Sequence, residues 1–237
     1  MLIYFVGTSR SGSTWLYERF VEHPQILQPE FHADGNNKSS NFWKKDINFI
    51  RRLVKDFKLF FKGEFNSDIT DGSGYIAKEN ILELKKAFPD AKLIYCVRNP
   101  IKIFWSHVHF VSSGDVNLEV LKSFKESPDN YYENTRHDLN ITRWEEIFEQ
   151  KIYKFFFTDI RDNPQQVLDG LANYIGVKPW QVEDTKLKEK INVSNASKNN
   201  SIPEDCLAWM NENQKSNIDW CENYFKKDFT HWRQGQE

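Results

Sequence analysis

Cysteine is scarce and unpatterned in this chain. Cys96, Cys206 and Cys221 form no C-x-x-C pair and show no metal-like spacing. That excludes a disulfide scaffold and points to reduced thiols in a cytoplasmic protein. An excess of positive charge is missing as well: 32 Lys and Arg face 34 Asp and Glu, a formal charge of -2. A protein that coats nucleic acid needs net positive potential over its footprint, so nucleic acid is not an expected partner. No apolar run approaches the roughly 18 residues of a membrane span. The opening MLIYFVGTSRSGST has no basic n-region and no small-residue cleavage site, and reads as a strand entering a loop. Internal repeats and low-complexity linkers are also lacking.

The 237 residues present fit one large domain with its own core, and apolar bulk is concentrated in the 15% of aromatic residues. Apolar runs bounded by turns predict strands at Leu2–Val6, Ile26–Gln28, Ser67–Thr70, Lys92–Val97 and Lys154–Thr158. Helical patterns fall at Thr14–Glu22, Phe42–Lys62, Ile76–Phe88, Ile101–Ser112, Tyr131–Phe148, Pro164–Ile175 and Glu204–Phe225. The alternation implies an α/β three-layer sandwich around a central parallel sheet. Such sheets bind ligands at the carboxyl ends of their strands, so chemistry is expected just after Val6, Gln28, Thr70 and Val97. Residues 178–237 read as a C-terminal extension on the same domain.

Within Phe42–Phe61, Trp43, Ile47, Ile50, Val54, Phe57 and Phe61 recur at spacings of four and three, one buried stripe. A neighbouring stripe carries Lys44, Arg51, Lys55, Lys58 and Lys62. It is a solvated helix face, or a basic lip for an anionic acceptor or a peripheral membrane contact through residues 44–62.

Gly7-Thr8-Ser9-Arg10-Ser11-Gly12-Ser13-Thr14 follows a strand and opens a helix. It matches the P-loop pattern except that Ser13 replaces the Lys. Small residues still let backbone N–H groups converge on an anion at the helix N-terminus. In ATP and GTP enzymes that Lys reaches the β- and γ-phosphates, and acid-held magnesium assists it. Here the cation lies upstream at Arg10, and the later strand ends in Arg98 where an acid would be expected. The pattern describes a nucleotide-phosphate pocket built without a required metal.

With those residues in place, the chain resembles the sulfotransferase family, which uses 3′-phosphoadenosine 5′-phosphosulfate (PAPS). Ser9-Arg10-Ser11-Gly12-Ser13-Thr14-Trp15-Leu16 resembles the family's 5′-phosphosulfate loop, P-K-S-G-T-T-W-L. Tyr95-Cys96-Val97-Arg98-Asn99-Pro100, with Ser106 eight residues after Arg98, resembles its 3′-phosphate motif. Phe155–Val177 and Asp228-Phe229-Thr230-His231-Trp232 are weaker matches. Gln28-Pro29-Glu30-Phe31-His32 is similar to the K-E-x-H-F-F segment of the glycan-type branch. Asp71-Gly72-Ser73-Gly74-Tyr75 is similar to its E-K-[ST]-P-x-Y, with Gly72 in place of the Lys.

The resemblance implies a P-loop-like fold over the whole chain and transfer of a sulfuryl group to an acceptor hydroxyl or amine, a carbohydrate by branch. Glu30 would be the general base with His32 in reserve, and Arg10 would hold developing charge. Arg10, Ser11, Gly12, Ser13, Thr14 and Trp15 would contact the 5′ end of the donor or its adenine. Arg98, Ser106 and Lys198 would take the 3′-phosphate, with 3′-phosphoadenosine 5′-phosphate (PAP) as product. For Trp15 core packing is the competing role, and for Glu30 an ordinary loop carboxylate. Two further readings stay open: a nucleotide-dependent kinase with a degenerate loop, and a non-catalytic nucleotide- or glycan-binding module. The charge balance fits one local anion site: residues 1–110 hold 16 basic and 12 acidic groups, residues 111–237 hold 16 and 22.

Overall fold

A computed structural model describes residues 1–28, 39–70, 72–112, 115–129, 131–179, 182, 184–187 and 201–237. Five strands form its sheet: β1 (Leu2–Phe5), β2 (Ile26–Leu27), β3 (Phe65–Asp68), β4 (Lys92–Val97) and β5 (Tyr153–Phe156). Their order is β2-β3-β1-β4-β5, and every pairing is parallel. Parallel neighbours need crossovers, and the helices supply them. These are α1 (Ser13–Val21), α2 (Ile47–Lys58), α3 (Lys78–Ala87), α4 (Pro100–Val111), α5 (Leu118–Lys125) and α6 (His137–Phe148), then α7 (Phe157–Asp162), α8 (Pro164–Ile175), α9 (Asp184–Leu187), α10 (Glu204–Phe225) and α11 (Thr230–Arg233).

Strand alternation divides the core in two. Leu2, Tyr4 and Val6 of the β1 segment join Leu93, Tyr95 and Val97 of β4 in one cluster, covered by α2, α3, α4, α6 and α10. Ile3, Phe5, Ile94 and Cys96 face the other way, against Trp15, Leu16 and Phe20 of α1 and Leu168 and Leu171 of α8. Period-two side chains on a sheet buried on both faces give this three-layer arrangement. Cys206, Met210, Ile218, Cys221 and Trp232 pack into the first cluster, so α10 and α11 complete the core that β1 and β4 begin.

The α2 region departs from expectation. A 3₁₀ turn at Phe42–Lys44 precedes it, and the helix starts at Ile47 because the Asp46 carboxylate accepts hydrogen bonds from Asn48 N and Phe49 N. Lys44 therefore leaves the basic stripe, and Arg51 on that stripe pairs with Glu83 at 3.0 Å. β5 is shorter than expected, since the Asp159 carboxylate accepts from Phe156 N at 2.9 Å and turns the chain into α7. β3 lies two residues earlier than the predicted Ser67–Thr70.

Candidate functional site

The phosphate loop leaves the sheet at β1, where strand order reverses between β3 and β4, the position at which such sheets open a crevice. Gly12 caps α1 at φ +92°, a conformation that favours glycine, and a Cβ there would lie 2.8 Å from Ile160 Cδ1. Arg10 also takes a left-handed conformation, φ +66°, without being glycine. Strain of this kind costs about 1–3 kcal/mol and concentrates at functional sites. The Ser11 hydroxyl donates to Thr8 O at 2.6 Å and fixes the loop from within. Thr8 Oγ1 is buried and has no hydrogen-bond partner among the described residues, an orphan that a bound anion would satisfy.

A second turn, Ser73–Tyr75, is latched to this loop. Gly7 N donates to Ser73 Oγ at 3.2 Å, Ser73 Oγ donates to Phe5 O at 2.6 Å, and Gly74 N donates to Gly7 O at 3.2 Å. Helix α6 backs the latch, with Trp144 Nε1 donating to Gly74 O at 3.0 Å. A Cβ on Gly74 would meet Asn140 Nδ2 at 3.0 Å, so any side chain there would require Asn140 to give way.

Three residues read from two motifs converge here. Arg10 Nε donates to Ser106 Oγ at 3.1 Å, and Arg98 Nη1 donates to the Arg10 carbonyl. Ser106 thus meets Arg10 directly, where the motif reading had it share a ligand with Arg98. The Arg10 guanidinium stands 5.1 Å from the Phe110 ring centre and that of Arg98 4.1 Å from Phe157. Arg98 Nε donates to the Glu237 carboxylate at 2.7 Å. This guanidinium is thus already paired with an anionic group. Asn99 holds the tail there, its amide donating to Trp232 O and Gln236 O. Lys227 and His231 line the same cavity of about 180 Å³ as Arg98.

His137 carries no motif and escaped the sequence reading. It is fully buried, with Nε2 2.7 Å from Arg98 O and Nδ1 2.8 Å from Tyr95 Oη. A carbonyl only accepts, so Nε2 bears the proton and the Tyr95 hydroxyl donates to Nδ1. Burial pushes the His137 pKa down to about 4 and the Tyr95 phenol well up. The pair is a neutral strut beneath Arg98.

A larger cavity, about 580 Å³, opens beside the loop, with Thr8, Ser9, Lys44, Tyr75, His107 and Asn134 among its walls. Asn80 Nδ2 donates to Trp43 O at 2.9 Å and to Lys45 O at 3.0 Å, clamping the backbone on both sides of Lys44.

Other expected residues land differently. Trp15 is 5% exposed and packs in the core with Leu16 and Phe20 of α1. Ser13 is buried and Thr14 half-buried at the start of α1. Glu30, His32 and Lys198 lie outside the described residues. The sequence reading sought an acid at the end of β4, but one ends β3, beside β1. That residue, Asp68, accepts hydrogen bonds from Ser40 N, Ser40 Oγ and Thr70 Oγ1. Its oxygens therefore tether residues 39–40, and burial raises its pKa. Among the described residues no cluster of three or more His, Cys, Asp or Glu is arranged to hold a metal, and no helix is long and apolar enough to cross a membrane.

The strand order, the glycine-capped loop and the paired arginines define a parallel α/β protein of the phosphate-binding type. Residues 77–182 match the model of the sulfotransferase family. The whole chain superposes on a sulfotransferase from Alicyclobacillus acidocaldarius with TM-score 0.72 and 18% identity, over 98% of this chain and 99% of that one. A mouse sulfotransferase complexed with PAP gives TM-score 0.54 and 18% identity, over 79% of this chain and 63% of that one. A search of curated proteins gives no match. The chain thus has the sulfotransferase fold, and its central segment carries the sequence pattern of the sulfotransferase family.

Proposed function

We propose that this protein transfers a sulfuryl group from PAPS to a hydroxyl or amine of an acceptor, a carbohydrate by branch resemblance, held in the cavity of about 580 Å³. The observation that carries the reading is the linkage of Arg10, Ser106 and Arg98. One guanidinium comes from the loop after β1 and the other from the end of β4, which suits a nucleotide with anionic groups at two separate positions. A nucleoside diphosphate, with its phosphates in one run, needs the loop alone. The Glu237 carboxylate on Arg98 and the orphaned Thr8 hydroxyl support anion binding at both points.

In the reaction, the acceptor oxygen or nitrogen attacks sulfur in line with the departing 5′-phosphate. The new bond to sulfur forms as the bridging S–O bond breaks, and its electron pair stays on the phosphate oxygen of PAP. The acceptor proton passes to the Glu30 carboxylate, with His32 in reserve; such positioned bases contribute about 10²–10⁴-fold. Arg10 and the N–H groups of Ser11, Gly12, Ser13 and Thr14 hold the charge that grows on the bridging oxygen. By the resemblance, Lys198 would take the 3′-phosphate together with Arg98 and Ser106. Tyr75, Tyr131 and Asn134 in the cavity wall offer rings and polar groups suited to a hydroxyl-rich acceptor. All three cysteines are free and buried, in keeping with a reducing compartment such as the cytoplasm.

Calorimetric titration with PAP and ADP, with and without magnesium, tests this. PAP should bind more tightly than ADP and without a magnesium requirement. Arg98→Ala should remove most of that preference, since a charge-assisted hydrogen bond contributes about 1.5–3 kcal/mol, or roughly 10–150-fold. Equal losses for PAP and ADP, or magnesium-dependent preference for ATP, would contradict the assignment. Transfer from labelled PAPS to an acceptor panel follows.

A further inference from the structure

The loop has lost its lysine at Ser13, and the latched turn carries glycine at position 72, yet the space above that glycine holds a cation. A Cβ built on Gly72 would lie 3.7 Å from Lys44 Nζ, with the Asn134 amide at 3.6 Å. Lys44 comes from another part of the chain, the 3₁₀ turn Phe42–Lys44. That turn is anchored from both directions. Asn80 holds the carbonyls of Trp43 and Lys45, Trp43 is fully buried, and Phe42 stacks on Phe57 with ring centres 4.0 Å apart. The backbone on either side of the lysine is therefore fixed, and its side chain extends from that anchored turn to the space above Gly72.

That place adjoins the chemistry. Ser73, next to Gly72, accepts the hydrogen bond of Gly7 N at the start of the phosphate loop. Lys44 shares the large cavity with Thr8 and Ser9 of that loop. Arg10, by contrast, is turned toward Ser106, on the Arg98 side. The geometry points to Lys44 as a catalytic residue, the cation that bears on the transferring sulfuryl group from the acceptor side. Its ammonium keeps its proton throughout. It stabilises charge on the sulfuryl and bridging oxygens while the acceptor's proton goes to the carboxylate base. The inference rests on the sulfuryl-transfer reading above and adds a residue that no motif of the sequence supplies.

Lys44→Met, Lys44→Arg and the double variant Lys44→Ala with Gly72→Lys test it, with PAPS affinity, PAP affinity and PAP release from PAPS (to acceptor or water) as readouts. Lys44 is exposed, so its substitution spares the core. A side chain at 72 meets only ordinary contacts, but φ +69° strains any residue other than glycine, as at Arg10, so the double variant's fold is checked by circular dichroism alongside its activity. Loss of one fixed donor to a developing charge costs about 10²–10³-fold in turnover. Lys44→Met should show that loss and bind PAPS at least about tenfold more weakly relative to PAP, since PAP lacks the sulfuryl group. Lys44→Arg should retain part of the rate. The double variant should regain at least about tenfold over Lys44→Met, a recovery that a structural role for Lys44 would not give. Unchanged PAP release and an unchanged PAPS-to-PAP ratio in Lys44→Met overturn the role of Lys44. Equal weakening of PAPS and PAP makes it a nucleotide anchor and overturns it too. If the unaltered protein binds no PAPS, the sulfuryl-transfer reading fails and this inference fails with it.

Discussion

Replacing His137 with Gln removes one titrating group from beneath the Arg98 carbonyl and leaves a side chain that can still donate to it. The unfolded imidazole titrates near pH 6.5, and burial moves the folded value to about 4. Between these values the unfolded chain binds a proton that the folded chain refuses. Acidification therefore favours unfolding: the stability contribution is complete above about pH 6.5 and is lost as pH falls toward 4. At pH 4.5 the loss from this one group comes to about 2.5 kcal/mol. Urea unfolding followed by tryptophan fluorescence at pH 7.5, 6.5, 5.5 and 4.5 measures it, using the difference between the unaltered and variant proteins. Carboxylates common to both cancel in that difference. At pH 7.5 the unaltered protein should be the more stable, because Gln leaves the Tyr95 hydroxyl poorly matched, a defect worth about 1–3 kcal/mol. The gap should then narrow by about 2.5 kcal/mol on going to pH 4.5. Parallel pH profiles for the two proteins would refute the account of a neutral, buried strut. PAP affinity of the variant at pH 7.5 should also fall, since Arg98 loses part of its support.

Two further outcomes are expected. Asp68→Asn places an amide N–H₂ among the Ser40 and Thr70 donors. It should lower stability by about 1–3 kcal/mol in chemical denaturation; an unchanged midpoint would show that those bonds contribute nothing net. Glu30→Gln should lose about 10²–10⁴-fold in turnover with PAP affinity unchanged. Full activity in that variant would remove Glu30 as the base.

Where turn chemistry brackets an element, the sequence defined it well. β4 ends at Asn99-Pro100, whose Asn side chain caps α4 by accepting from Ile101 N, and α8 lies between Pro164 and the left-handed Gly176. The paired phosphate motifs were legible because each follows a strand, and the parallel sheet brings those strands side by side. Periodicity misled at α2. Trp43 keeps the helical spacing, yet Asp46 caps the helix after it, and Lys44 lies in the preceding 3₁₀ turn, outside the helix. His137 gave no local signal, since its importance comes from a carbonyl 39 residues away and from complete burial. Trp15 fitted a ligand role and a core role equally by position, and its packing in the core becomes visible only once α1 lies on the sheet.

The contact between Glu237 and Arg98 changes what an affinity for this site measures. On the proposed function, an incoming phosphate would not meet a solvated guanidinium; it would have to evict a carboxylate that Asn99 helps to hold in place. Binding is then an exchange of one anion for another, and the observed constant is the difference between two interactions of the same kind. A singly charged intruder would gain little from such an exchange, whereas a phosphate ester would bring more charge and more oxygens to it. On that reading the Glu237 contact would make anion strength the first thing a ligand is tested for, before any part of a nucleoside is recognised.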